Sequence, residues 1–243
     1  MGRLGQCSES HVSPLTQERH NPLTSASNIS RVPIEEALKF GWDTTLKNFW
    51  PLLGMMLVAQ LPMIVFNVVS VAAKDHPIIV ALTGLPAMVV TLIFGLGLRH
   101  VFLKVARGES FSFGDILSMA GRVLNAFAAA IIFVVVVGIG FLLFFVPGVM
   151  LALKLQFFTW FIIDKNMGPI AALKASWEVT TGEKLQLFLL YLAFGVIGTI
   201  GLFALFIGII PASMIILVAE AFVYQRLINT APASALLPSG PAR

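Results

Sequence analysis

Residues 123–153 read VLNAFAAAIIFVVVVGIGFLLFFVPGVMLAL and contain no charged side chain. A single helix over these 31 residues would be about 46 Å long, whereas the hydrocarbon core of a bilayer is about 30 Å thick. Val146-Pro147-Gly148 is a turn signal inside the stretch. The stretch therefore predicts two membrane-spanning helices joined by a tight turn near Pro147.

Other uncharged stretches lie on both sides of this pair. Residues 185–219 are 35 residues without a charge, and the segment from Gly208 to Pro211 offers a break. Residues 48–73 and 77–98 can each cross once. The chain is thus predicted to be an all-α membrane protein with six spans. Their approximate bounds are 49–72, 78–100, 123–145, 148–163, 185–207 and 210–228.

The spans belong to one polytopic membrane domain over residues 32–230. The two ends are polar or rich in Ser and Pro, so residues 1–31 and 231–243 are predicted to be disordered cytoplasmic tails. Hydrophobic residues make up 58% of the chain and charged residues 12%, about half the charged share of a soluble domain. The 16 Lys and Arg are dispersed, which argues against a nucleic-acid footprint. The partner that composition implies is the lipid bilayer.

Basic residues are distributed unequally between the two ends of the spans. The loop between the first two spans holds Lys74, and the turns near Pro147 and Pro211 hold neither Lys nor Arg. The opposite side holds Arg31, Lys39, Lys47, Lys104, Arg107, Arg122, Lys165, Lys174, Lys184 and Arg226. The positive-inside rule then predicts that both termini are cytoplasmic.

Short amphipathic segments precede the three pairs of spans and suggest an internal repeat. Residues 34–45 and 170–181 share Ala-Leu-Lys, a Trp three residues later, an acid and a Thr. The middle copy, residues 113–122, is weaker. Because Trp42 and Trp177 lie on charged segments too short to cross a bilayer, we expect both to be anchors at the water–lipid boundary. The predicted architecture is three repeats of an interfacial helix and a helical hairpin.

The stretch from Phe145-Val146-Pro147-Gly148 to Gly168-Pro169-Ile170-Ala171-Ala172-Leu173-Lys174-Ala175-Ser176-Trp177 resembles a family of bacterial integral membrane proteins, the glycerophosphoryl diester phosphodiesterase membrane domain. The resemblance implies the helical fold and a location in the bacterial inner membrane. The name of that family comes from members fused to a phosphodiesterase barrel, for which this chain has no room, so the resemblance carries no expectation of that activity.

Lys154 and Glu220 are the two charges predicted to lie deepest in the membrane. Such residues are costly in hydrocarbon and are functional candidates by default. Three interpretations stay open: they line a transport path, they pair and hold spans four and six together, or Lys154 extends its ammonium group to a membrane boundary. In the second case neither has a role beyond architecture.

No motif for catalysis, cofactor binding or metal binding is evident, so the sequence predicts no catalytic, cofactor or metal-ligating residue. The first hypothesis is a non-enzymatic membrane protein that acts in envelope organisation or as a partner subunit, with another membrane protein or a second copy of itself as its partner. The second is a small-molecule or ion transporter or channel that uses Lys154 and Glu220. A lipid-handling enzyme is the third.

Overall fold

A computed structural model describes residues 32–203 and 208–231. The regular structure in these residues is helical, and six helical segments are long and apolar enough to cross a membrane. The prediction of an all-α protein with six spans is therefore confirmed. The predicted tails lie outside the described residues, apart from Ala231. In chain order the helices are α1 (Ile34–Lys47), α2 (Phe49–Ala72), α3 (Pro77–Ala106), α4 (Gly114–Leu117), α5 (Val123–Leu143), α6 (Phe145–Leu155), α7 (Phe158–Lys165), α8 (Pro169–Val179), α9 (Lys184–Phe203) and α10 (Ile209–Thr230).

The turn of the second hairpin lies three residues before the position predicted from Pro147. Phe144, which is extended with φ −160° and ψ 151°, separates α5 from α6, and Pro147 is the third residue of α6. Pro211 is likewise the third residue of α10. Proline fits there because the first N–H groups of a helix have no intrahelical acceptor, so a residue without an N–H leaves one donor fewer to satisfy. The prolines start these helices and do not form the turns.

Two other span boundaries differ from those predicted. The second span runs on to Ala106 instead of ending near residue 100, because Arg99 and Lys104 find acidic partners on neighbouring segments. The fourth span is interrupted at Gln156 and Phe157, between α6 and α7. A charge inside an apolar helix therefore did not mark a helix end in this chain.

Glycines allow the two helices of a hairpin to approach closely. A Cβ on Gly140 would lie 3.0 Å from the Cα of Gly148, and a Cβ on Gly201 would lie 2.7 Å from the carbonyl oxygen of Gly208. In both hairpins the contact lies close to the proline that begins the second helix. Small residues at these positions bring the backbones together, as is usual between membrane helices.

Each short helix packs against the second helix of a neighbouring hairpin. Helix α1 contacts α10, α4 contacts α3, and α8 contacts α6 and α7. In α1 the buried positions include Ala37, Gly41 and Thr45, and the aligned residues Ala172 and Ser176 of α8 and Thr180 directly after it are buried as well. The two helices thus bury the same small-residue stripe. The equivalence of all three copies stays a prediction, since the middle short helix has only four residues.

Candidate functional site

The structure gives Lys154 and Glu220 different partners from those predicted. Glu220 accepts hydrogen bonds from Arg99 and Tyr191, while the Nζ of Lys154 lies over the ring of Trp177. The predicted pair is therefore not the one that forms. The physical reason is that α3 and α9 bring donors beside α10, so the Glu220 carboxylate is already satisfied.

The first cluster joins α3, α9 and α10. The Arg99 guanidinium lies 3.3 Å from one oxygen of Glu220, and the Tyr191 hydroxyl donates to the other oxygen at 2.8 Å. The side chain of Glu220 is 12% exposed. A carboxylate removed from water needs such compensation, and a charged donor with a hydroxyl supplies it at both oxygens. The cluster ties three helices at one point.

A second cluster, which also combines an arginine, a carboxylate and a tyrosine, joins the end of α3 with α7 and α10. The Arg107 guanidinium lies 2.6 Å from Asp164, and the Tyr224 hydroxyl donates to the other Asp164 oxygen at 3.1 Å. Lys165 adds a weaker contact at 3.5 Å. Both tyrosines of the chain therefore donate to a carboxylate that is paired with an arginine in α3 or directly after it.

Trp160 of α7 connects the two clusters. Its ring lies 5.5 Å beneath the Arg99 guanidinium and stacks on Tyr224 with ring centroids 6.0 Å apart. A cation over an indole face and a stacked aromatic pair are both stabilising contacts. The result is one continuous feature, which we name the polar strip. Its members are Tyr191, Glu220, Arg99, Trp160, Tyr224, Asp164 and Arg107.

The polar strip is suited to holding helices and not to exchanging ligands. Each of its carboxylates already accepts from an arginine and a tyrosine. Burial of paired charges of this kind fixes which elements meet more than it adds net stability. The strip therefore provides a specific connection between the first hairpin, the fourth span and the last hairpin.

Lys154 lies beside the break in the fourth span. It is 8% exposed, and its Nζ lies 3.5 Å from the centroid of the Trp177 ring. The carbonyl of Lys154 accepts from the hydroxyls of Ser176 and Thr180, and the Ser176 hydroxyl accepts from the N–H of Phe157. Helix α8 thus satisfies backbone groups near the break, which is a condition for irregular backbone at membrane depth.

The predicted anchors are exposed to different degrees. Trp42 is 55% exposed, and Trp177 is 40% exposed with one face covered by Lys154. Their position at a water–lipid boundary stays a prediction. In the described part of the chain, no group of three or more His, Cys, Asp or Glu side chains is arranged to hold a metal ion.

Sequence reasoning missed Arg99, Asp164, Tyr191 and Tyr224. The predicted bounds of the second and fourth spans put Arg99 at the end of a span and Asp164 just beyond one. The available signal was that Tyr191 and Tyr224 each lie in an apolar helix one or two turns from a charged residue. That signal names polar residues but does not say which of them meet.

A family profile matches residues 85–237, which include every member of the polar strip as well as Lys154 and Trp177. The match covers more than half of the chain. The chain belongs to the family described as Domain of unknown function (DUF7847). The DUF7847 match begins inside α3, so it leaves out α1, Trp42 and α2. No curated protein and no solved structure matches the chain. The DUF7847 assignment does not bear on the resemblance to the glycerophosphoryl diester phosphodiesterase membrane domain, which stays a prediction.

Proposed function

We propose that the chain is a non-enzymatic, multi-pass protein of the bacterial inner membrane that acts in envelope organisation or as a partner subunit, with another membrane protein or a second copy of itself as its partner. The observation that carries the proposal is the polar strip, in which the embedded carboxylates Glu220 and Asp164 are held by arginines and tyrosines from other helices. Charges held in this way serve assembly of the fold. We also propose that the chain is related to the glycerophosphoryl diester phosphodiesterase membrane domain. This relationship does not include phosphodiesterase activity.

The face through which such a protein meets its partner is the polar side of α1. Helix α1 turns its small residues toward α10 and leaves Glu35, Lys39 and Asp43 exposed. The close contact of Gly41 with Ile215 and Ala219 seats α1 on α10. Glu36 adds an exposed ion pair with Arg226 at 2.9 Å. A fixed helix with alternating charges is suited to a complementary polar surface.

Photo-crosslinking and flux measurements together test the proposed function. A photo-reactive amino acid at Asp43 is expected to give a discrete crosslinked species in cells, whereas the same amino acid at Asp75, at the other end of the first hairpin, is not. Purified protein in liposomes is expected to conduct no more protons or potassium ions than empty liposomes. Flux that disappears in Lys154→Met or Glu220→Gln would replace this proposal with the transporter.

Both termini are proposed to be cytoplasmic, and thiol labelling tests the orientation. In a Cys7→Ser background, single cysteines are placed at Asp75 between α2 and α3 and at Ser110 between α3 and α4, where both native side chains are exposed. An impermeant maleimide added to sealed cells is expected to label position 75 and to leave position 110 unlabelled until the cells are opened. The reverse pattern would invert the topology.

A further inference from the structure

We infer that the groove between α6 and α9 binds one acyl chain of an anionic phospholipid, with the phosphate of that lipid held by Lys184. The groove has a volume of about 590 Å³ and is lined by apolar side chains that include Val149, Leu153, Leu185 and Phe188. Sites for small molecules have volumes of about 300–1,000 Å³. Because α6 and α9 belong to membrane spans and the side chains that line the groove are mostly apolar, the groove is suited to an acyl chain.

The charge at the groove favours an anionic lipid over a zwitterionic one. Lys184 is the one charged residue that lines the groove, and it is exposed at the start of α9. Lys154 lies in α6 beside the groove-lining Leu153, so a second cation lies next to the groove. Glu183, the residue before Lys184, does not line the groove. A phosphate at Lys184 would place its negative charge beside the one charged side chain that lines the groove.

The position of the lysines agrees with the chemistry of lipid headgroups. Lys184 precedes the apolar part of α9 directly, so its ammonium group can reach the headgroup level while its stem follows the groove. Basic sites between membrane helices on the cytoplasmic side are typical of anionic headgroup recognition. The Nζ of Lys154, the second cation near the groove, lies over the ring of Trp177. Lys154 therefore lies on the side of α6 that faces the short helix α8.

Native mass spectrometry on the full-length protein in detergent micelles tests the inference. The probe is an equimolar mixture of phosphatidylglycerol and phosphatidylcholine with identical acyl chains. The protein is expected to retain phosphatidylglycerol in preference. Lys184→Ala is expected to reduce that retention about fivefold, because one lysine near an anionic headgroup contributes about a factor of this size. Lys74→Ala, which removes an exposed lysine between α2 and α3, is the matched control and is expected to have no effect.

A groove-filling variant separates the acyl site from the headgroup site. Val149→Phe is expected to reduce retention of both lipids while its melting temperature stays close to that of the parent protein. Equal retention of the two lipids by the parent protein would overturn the inference, and so would unchanged phosphatidylglycerol retention in Lys184→Ala. Because these measurements concern lipid binding alone, their failure would leave the proposed partner-subunit role standing.

Discussion

Gly97→Ala is expected to destabilise the protein strongly, whereas Gly95→Ala on the same helix is expected to be neutral or mildly stabilising. A Cβ on Gly97 would overlap the backbone of Ile116, whose carbonyl carbon and oxygen both lie in its path, while a Cβ on Gly95 would have nothing within 4 Å. Backbone atoms cannot move aside as a flexible side chain can. Relief therefore requires α4 to separate from α3.

The magnitudes follow from two opposed effects. Alanine is favoured over glycine inside a helix by about 1 kcal/mol, which applies at both positions. Overpacking a closely fitted contact costs about 1–3 kcal/mol and more when backbone must shift. We expect a clear loss of melting temperature in detergent for Gly97→Ala and none for Gly95→Ala. Equal melting temperatures for the two variants would show that α4 is not seated against α3 as described.

Breaking the Arg99–Glu220 pair is the second change with a large expected effect. Arg99→Met leaves the Glu220 carboxylate with Tyr191 as its remaining side-chain partner, and Glu220→Gln leaves Arg99 without its carboxylate. Each single substitution is expected to cost about 2–3 kcal/mol, which is less than the cost of about 3–5 kcal/mol for a fully buried pair because Arg99 is 36% exposed. The double variant is expected to lose less than the sum, since it contains no orphan charge.

The chain offers a matched control for this cycle. Arg226 and Glu36 also form an Arg–Glu pair, at 2.9 Å, but their side chains are 51% and 62% exposed. Arg226→Met and Glu36→Gln are expected to couple by less than about 1 kcal/mol. Lys154→Met and Glu220→Gln are expected to be additive, because the structure places no contact between them. Coupling of Lys154 with Glu220 in melting experiments would reinstate the pair suggested by the sequence.

The candidate site could be predicted only in part, as its individual residues show. Glu220 was identified from depth alone, because an acid far inside an apolar stretch is costly wherever the neighbouring helices lie. Its partner Arg99 was not identified, since the two residues are 121 positions apart and periodicity within a helix gives no information on which helix lies opposite. Lys154 was identified for the same reason as Glu220, but the Trp177 ring beneath it had been assigned only to the bilayer boundary.

The sequence by itself determined that the chain is helical and crosses the membrane six times. The length of the uncharged segments decides this. Backbone groups without a hydrogen-bond partner are costly in hydrocarbon, so an apolar segment of that length crosses the membrane as a helix. The tertiary structure decided where the second hairpin turns and that the fourth span breaks after Leu155. It also decided that Arg99 in α3 and Arg107 directly after α3 each pair with an acid that accepts from a tyrosine. These features depend on which helices are neighbours, and that is fixed by close contacts such as Gly97 with Ile116 and Gly41 with Ile215. Such contacts require that distant segments of the chain fit together. A local pattern of hydrophobicity or charge gives no information on that fit.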